Sequence, residues 1–166
     1  GRGIGPTLEA IDILKVLKNE EDAPKDLTER ALLLATELLE LSGKVEKGKG
    51  LETAREILKS GKAYEKFIAI CKAQGQFSKP VLAPYKMEIK AEKSGVLQRI
   101  DNRKIAKLAK LSGAPQSKSA GILLNVHLNE KIEIDQLLYT IYAESKGELN
   151  YALEYKNNHN DIITII

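Results

Sequence analysis

The 166-residue sequence is poor in cysteine, histidine and aromatic residues: it has one cysteine, two histidines and no tryptophan. Because a disulfide needs two cysteines, Cys71 alone excludes a disulfide framework and a cysteine metal site within one chain, and a reducing, cytoplasmic setting is expected. His127 and His159 are too few and too far apart to predict a metal cluster. We therefore expect this chain to hold no metal and no cofactor.

The sequence also lacks a long hydrophobic run and an excess of one charge. No apolar stretch approaches the roughly 20 residues that cross a bilayer, so no membrane partner is expected. The 26 basic and 23 acidic residues give a formal charge of +3 and are mixed along the chain. Because no dense basic stripe with interleaved aromatic residues is present, the sequence does not predict binding to nucleic acid.

The first 75 residues have the apolar periodicity of helices. Asp26 is predicted to cap the second helix, with Glu29 as its capping-box partner. Leucines lie on more than one side of that helix between Leu32 and Leu41, so we expect it to be buried or to meet a partner, and we predict a homo-oligomer. The predicted helices span residues 6–18, 26–43, 51–58 and 62–74.

The pattern changes near residue 80, where alternating apolar and polar residues replace the helical spacing. A strand over 85–91 is predicted to turn at Ser94-Gly95 and to pair with a second strand over 96–100. Helices followed by strands, without β-α-β alternation, predict an α+β fold divided into 1–79 and 80–166. The other predicted elements are a helix over 103–111 capped by Asp101, strands over 122–128, 131–134, 137–143 and 162–166, and a helix over 148–156.

The hexapeptide that begins at Gly1 and ends at Pro6 predicts a loop that leads into a helix. Three glycines at alternate positions let a backbone approach a ligand closely, and Pro6 fits the first turn of a helix. A helix N-terminus has unpaired N–H groups and a partial positive charge, and Arg2 adds a full charge, so one interpretation is an anion site for phosphate. The other interpretation is a simple turn, because the spacing is not the dinucleotide-binding fingerprint.

Several blocks of the sequence resemble one enzyme family. The block Gly1–Ala10, GRGIGPTLEA, is similar to the GRxIGPxLEA signature of the AMP phosphorylases, the archaeal branch of the thymidine phosphorylase family. Further similar blocks lie in the same order at residues 60–75, 100–122 and 137–144. The chain is thereby identified as similar to the C-terminal portion of such a protein, whose members are several hundred residues long.

The resemblance implies a fold and a reaction. The helical part would be a piece of the phosphorylase α/β domain, and residues 80–166 would form a small β-rich, hammerhead or barrel-sandwich-like domain. The reaction would be phosphorolysis, in which inorganic phosphate cleaves the N-glycosidic bond of a nucleoside or nucleotide and leaves a base and a sugar phosphate. AMP is the favoured substrate and thymidine the second.

The resemblance also implies which residues take part. Substrate-binding candidates are Arg2, Gly3, which stands where the family often has serine, and Arg30, which stands where the family has a lysine. The phosphate-binding residues and the proton donor to the base would lie in a missing N-terminal portion of the same protein. No catalytic residue is therefore expected in this chain, and the isolated chain is expected to be inactive.

A non-catalytic carrier or assembly module is the alternative function. Barrel-sandwich domains that carry biotin or lipoate modify a lysine between methionines at a hairpin tip, and Lys86-Met87 is the nearest match to that signature. Lys86 is predicted inside a strand, however, and not at a tip. The loop Ser117-Lys118-Ser119 is open to two interpretations, a flexible closing loop or an ordinary one.

Overall fold

Six helices and two small antiparallel sheets make up the fold, which confirms the predicted α+β class. The computed structural model describes residues 1–166 and divides them into two units. Unit 1 consists of Gly1 and Ile11–Lys79, and unit 2 consists of Arg2–Ala10 and Pro80–Ile166. The assignment of 1–79 and 80–166 to two phosphorylase domains stays a prediction. All six helices are too short or too polar to cross a lipid bilayer.

The four predicted helices of the first half are confirmed. Helix α1 begins in unit 2 and continues into unit 1, and α2, α3 and α4 lie in unit 1. In unit 1 helix α2 packs against α3, and α3 packs against α4. The bounds are Pro6–Leu17 for α1, Lys25–Leu41 for α2, Gly50–Lys59 for α3 and Lys62–Ala73 for α4.

The predicted start of α2 is wrong by two residues. The N-cap is Pro24, which has an extended backbone and no side-chain cap, so the predicted capping box of Asp26 and Glu29 does not form. Asp26 lies in the first turn instead. A carboxylate there still interacts favourably with the partial positive charge of the helix N-terminus.

Helix α2 has no buried residue, so its predicted burial is wrong. Leu33, Leu34, Leu38 and Leu41 are between 51% and 81% exposed. Apolar surface that a helix presents to water on this scale is typical of an interaction surface. The other expectation, that α2 meets a partner, therefore stays a prediction.

Unit 2 contains both sheets. The four-stranded sheet has the order β1-β4-β6-β2 and the three-stranded sheet has the order β5-β3-β7. The strands are β1 Gly3–Ile4, β2 Tyr85–Lys90, β3 Gly95–Ile100, β4 Gly121–Leu124, β5 Lys131–Ile132, β6 Leu137–Ala143 and β7 Ile163–Ile165. Two helices, α5 Asn102–Leu111 and α6 Lys146–Asn157, pack against the four-stranded sheet and against each other.

The predicted pairing of β2 with β3 is wrong. Strand β2 pairs with β6, whereas β3 pairs with β5 and β7 in the other sheet. The alternating pattern identifies a strand but not its partner, which depends on how the two sheets share one core. The turns predicted near Asn129 and Asp135 are confirmed by the positive φ of those two residues, 67° and 63°.

The main hydrophobic core lies in unit 2, between the two sheets and the two helices. Leu97, Ile122 and Ile141 are completely buried in it. Asp101 caps α5 as predicted, because its side chain accepts hydrogen bonds from the N–H groups of Arg103 and Lys104. The sequence analysis missed a full capping box at the start of α6, formed by Ser145 and Glu148.

Candidate functional site

The first six residues form a short strand and the start of a helix. Gly3 and Ile4 make up β1, which pairs antiparallel with β4 at the edge of the four-stranded sheet. The prediction of a loop is therefore wrong for these two residues. Pro6 is the first residue of α1, as predicted.

The glycines of this segment allow close packing within the protein. A Cβ atom on Gly3 would lie 2.5 Å from the carbonyl carbon of Leu8, and one on Gly5 would lie 2.4 Å from the carbonyl oxygen of Ala120. A Cβ atom on Gly121 would lie 2.1 Å from the carbonyl oxygen of Ile4. Gly5 and Gly121 also have φ values of +133° and +147°, which favour glycine. The close approach, which one of the two sequence interpretations reserved for a ligand, is thus made to the protein's own backbone.

The backbone N–H groups around the start of α1 are bonded to protein atoms. The Gly5 N–H donates to Oε1 of Glu9 at 3.1 Å, and the Thr7 N–H donates to the carbonyl of Lys118 at 3.1 Å. The Glu9 N–H donates to the Gly5 carbonyl at 2.9 Å, and Pro6 has no N–H. The Glu9 carboxylate thus lies where a phosphate would interact with the helix N-terminus. This geometry favours a turn before a helix over an anion site.

The three predicted substrate-binding residues lie in different units. Arg2 is half-buried just before β1, and Gly3 lies in β1, both in unit 2. Arg30 is exposed on α2 in unit 1. Neither unit by itself contains all three residues, so their common role in binding stays a prediction.

The loop between α5 and β4 is attached to neighbouring elements by two carboxylates. The hydroxyl of Ser117 donates to Oε1 of Glu148 at 2.8 Å. The N–H and hydroxyl of Ser119 donate to Oε1 of Glu144 at 3.1 and 2.9 Å, and these hydrogen bonds lower the pKa of the Glu144 carboxyl. The sequence allowed two interpretations of this loop, a flexible closing loop or an ordinary one. These contacts favour the ordinary loop.

A cleft of about 540 Å³ lies beside this segment and is entirely within unit 2. Its lining includes Ile4, Gly5 and Pro6 on one side and the start of the α5–β4 loop on the other. The lining contains one cation, Lys110, and one carboxylate, Glu9. Because these charges balance, the cleft has no excess of positive charge for a phosphate.

Lys86, the candidate for a carrier lysine, lies inside strand β2. It pairs with Tyr142 of β6, and its Nζ lies 3.2 Å from Oε1 of Glu88. A modified carrier lysine needs a hairpin tip that reaches other sites, and a mid-strand position does not provide one. The placement of Lys86 therefore disfavours the carrier alternative.

The side chains that ligate metals do not cluster. No group of three or more His, Cys, Asp or Glu side chains lies together in the structure. The Nδ1 atom of His159 lies 2.8 Å from the carbonyl oxygen of Tyr155, and Cys71 is a half-buried free thiol.

Comparison with known proteins shows which class of domain unit 2 resembles. The family model described as the pyrimidine nucleoside phosphorylase C-terminal domain matches residues 96–162. This range runs from the first half of β3 to the residue before β7, so it includes both helices of unit 2. Most of unit 2 is therefore similar to the C-terminal domain of pyrimidine nucleoside phosphorylases.

Individual relatives match the chain over nearly its whole length. The chain is 52% identical over 165 residues to a protein of Hahella chejuensis and to one of Legionella pneumophila strain Corby, both named "Putative thymidine phosphorylase". It is 48% identical over 165 residues to a protein of the same name from Parvibaculum lavamentivorans. Each match covers 99% of this chain, and the chain spans about a third of the length of these relatives. The resemblance to the thymidine phosphorylase family is confirmed.

Proposed function

We propose that this chain works as part of a nucleoside phosphorylase, a pentosyltransferase. In the reaction an oxygen of inorganic phosphate bonds to the anomeric carbon of the sugar, the bond from that carbon to the base nitrogen breaks, and the base leaves with a proton. The observation that carries the proposal is the 52% identity over 165 residues to a protein named "Putative thymidine phosphorylase". The match of residues 96–162 to the phosphorylase C-terminal domain also supports it.

The chemistry of this reaction requires groups that this chain is not expected to supply. The transition state resembles an oxocarbenium ion, so catalysis needs a phosphate held in line, a proton donor to the base, and exclusion of water. The N–H groups of Gly5 and Thr7 already donate to protein atoms, so the most glycine-rich segment has little left to offer a phosphate. We propose that the rest of the whole protein supplies the phosphate-binding groups and the proton donor.

The substrate is proposed to be a nucleotide, AMP, with thymidine as the second candidate. The signature at the first segment supports AMP, whereas the names of the relatives support thymidine. Arg30 distinguishes the two, because a nucleotide carries a 5′-phosphate and a nucleoside does not. The Arg30 guanidinium is exposed on α2 and has the planar, two-pronged geometry that binds a phosphate with two hydrogen bonds.

The test is a phosphorolysis assay on the whole protein with AMP or thymidine and inorganic phosphate. We expect phosphate-dependent release of adenine from AMP at a higher kcat/KM than release of thymine. Arg30→Gln should raise the KM for AMP about tenfold or more and leave the KM for thymidine unchanged, because the lost contact is to the 5′-phosphate.

The matched control is Arg55→Gln, which removes an exposed arginine from the neighbouring helix α3. It should leave both KM values unchanged. Release of neither base in the presence of phosphate would contradict the proposed class of enzyme. An equal effect of Arg30→Gln on both substrates would contradict the role of Arg30 alone.

A further inference from the structure

A second pocket lies in unit 2, and its lining includes no residue of the first segment. Its volume is about 360 Å³, within the range of small-molecule sites. The end of β2, the start of β6 and the stretch from the end of α6 to β7 surround it. Ile89, Leu138, Ile162, Ile163 and Ile165 form its apolar part.

A β-bulge shapes one wall of this pocket. In the pairing of β2 with β6, Ile89 is opposite Tyr139 and Lys90 is opposite Leu137, so Leu138 has no partner in β2. Side chains alternate between the two faces of a regular strand, and an extra residue interrupts that alternation. The bulge explains how two consecutive side chains, Leu138 and Tyr139, both line the pocket.

Tyr139 brings a hydroxyl without a hydrogen-bond partner to the pocket. The residue is only 2% exposed, and this burial raises the pKa of its hydroxyl above the usual value. The hydroxyl thus stays neutral and able to donate. The hydroxyl oxygen is not among the fully buried polar atoms that lack a partner, so it reaches solvent at the pocket. Water or a ligand atom can therefore accept its hydrogen bond.

Three lysines add positive charge to the pocket. Lys90, Lys93 and Lys156 line it together with one carboxylate, that of Glu92. The Glu92 carboxylate lies 3.8 Å from Nζ of Lys156 and is 89% exposed, so it compensates one of the three charges weakly. The pocket therefore attracts an anion.

His159 adds a planar surface whose orientation is fixed. Its ring stacks on that of Tyr155 with the centroids 4.0 Å apart and the planes 25° apart. The Tyr155 carbonyl oxygen, 2.8 Å from Nδ1, can only accept, so Nδ1 carries the hydrogen. The ring forms part of the pocket lining.

We propose that this pocket binds a small organic anion that carries a ring. The ring would lie among the isoleucines and beside His159, the anionic group would approach Lys90 and Lys93, and an oxygen of the ligand would accept a hydrogen bond from Tyr139. The inference does not rest on the proposed phosphorylase activity, because none of these residues is among the candidates for substrate binding.

The test is NMR titration of the 166-residue chain with phenyl phosphate as the probe. Benzoate serves as a carboxylate counterpart, while phenol provides the ring alone and inorganic phosphate the charge alone. We expect phenyl phosphate to shift the amide signals of Tyr139, His159 and Ile162, and to bind at least about fivefold more tightly than phenol or inorganic phosphate. Comparison with benzoate shows whether phosphate or carboxylate anions are preferred.

Three variants make the result specific. Tyr139→Phe should weaken binding of phenyl phosphate about 2- to 10-fold without unfolding the chain, because the hydroxyl has no partner in the protein. Lys93→Gln should weaken it about 2- to 5-fold, and the control Lys107→Gln, an exposed lysine of α5 outside the pocket, should not. Shifts confined to Gly3 and Arg30, no shifts at all, or unchanged affinity in both pocket variants would overturn the proposal.

Discussion

Gly121 is the residue where backbone and packing constraints are most severe. Its φ is +147°, and a Cβ atom there would lie 2.1 Å from the carbonyl oxygen of Ile4. Both the strained backbone and the contact with a backbone atom would oppose a side chain. We expect Gly121→Ala to lower the free energy of unfolding of unit 2 by about 2–4 kcal/mol.

The measurement is urea unfolding followed by tyrosine fluorescence, which reports mainly on unit 2 because five of the six tyrosines lie there. The control is Gly147→Ala in helix α6, where the nearest atom to an added Cβ is 3.9 Å away. That variant should raise the free energy of unfolding by about 0.5–1 kcal/mol, since alanine favours a helix over glycine. Equal effects of the two variants would contradict the packing explanation.

Asp101 is expected to make the stability of unit 2 depend on pH. Hydrogen bonds from the N–H of Lys104 and the nearby Arg99 guanidinium hold the pKa of this carboxyl below its usual value of 3.8. Because the folded state has the lower pKa, the stabilisation is present above pH 3.8 and is lost as the pH falls through the folded value. Asp101→Asn keeps an oxygen for the helix cap but does not titrate. Its urea midpoint should therefore fall less than that of the unmodified chain between about pH 4 and pH 2.

The same urea titration on Asp135→Asn provides the comparison for Asp101. That variant removes an exposed carboxylate from a turn with positive φ, a conformation that asparagine also adopts readily. Its midpoint should follow the unmodified chain across the acid range. Identical curves for both variants would show that the cap of α5 does not contribute to the acid sensitivity.

Helix α2 is the element whose surface is least explained by the chain itself. Leu38 and Leu41 are 67% and 81% exposed, and leucines in water at this density favour association. We predict a homo-oligomer held through this face. Leu38→Glu combined with Leu41→Glu should shift the mass measured by light scattering towards that of a monomer.

The control for this face is Glu29→Gln, which changes an exposed polar residue near the start of the same helix. It should leave the measured mass unchanged. A monomer in the unmodified chain at all concentrations would contradict self-association. The apolar face would then be assigned to contact with the rest of the whole protein.

The sequence predicted the positions of the helices and strands more accurately than it predicted which strands pair. Helical periodicity located α1 to α4, and alternation located β2, because both patterns depend on residues close in sequence. The partner of β2 is more than 45 residues away in the chain, at Leu137–Ala143, and no local pattern specifies that distance. The bulge at Leu138 was missed for the same reason.

The helix caps were also predicted only in part from the sequence. Asp101 was predicted correctly, whereas Asp26 was not, because Pro24 already fixes the entry into α2. The pair of Ser145 and Glu148 has the spacing of a capping box and was detectable from the sequence. It was missed because the predicted helix began at residue 148, three residues after the N-cap Ser145.

For the whole molecule, the family resemblance was more informative than the chemistry of any one motif. The blocks at 1–10 and 100–122 identified the family, and the relatives confirm it. The anion site, one of two interpretations of the first glycines, stays a prediction, and backbone packing explains Gly3 and Gly5 without a ligand. The pocket at Tyr139 had no signal in the sequence, because its residues come from three separate stretches.

The most direct measurement of the central claim compares base release by the 166-residue chain alone and by the whole protein. Each is incubated with AMP or thymidine, with and without inorganic phosphate, and the free base is quantified by chromatography. We predict phosphate-dependent release by the whole protein and none above background by the chain alone. Release of adenine or thymine by the chain alone would contradict the claim that it supports catalysis without performing it.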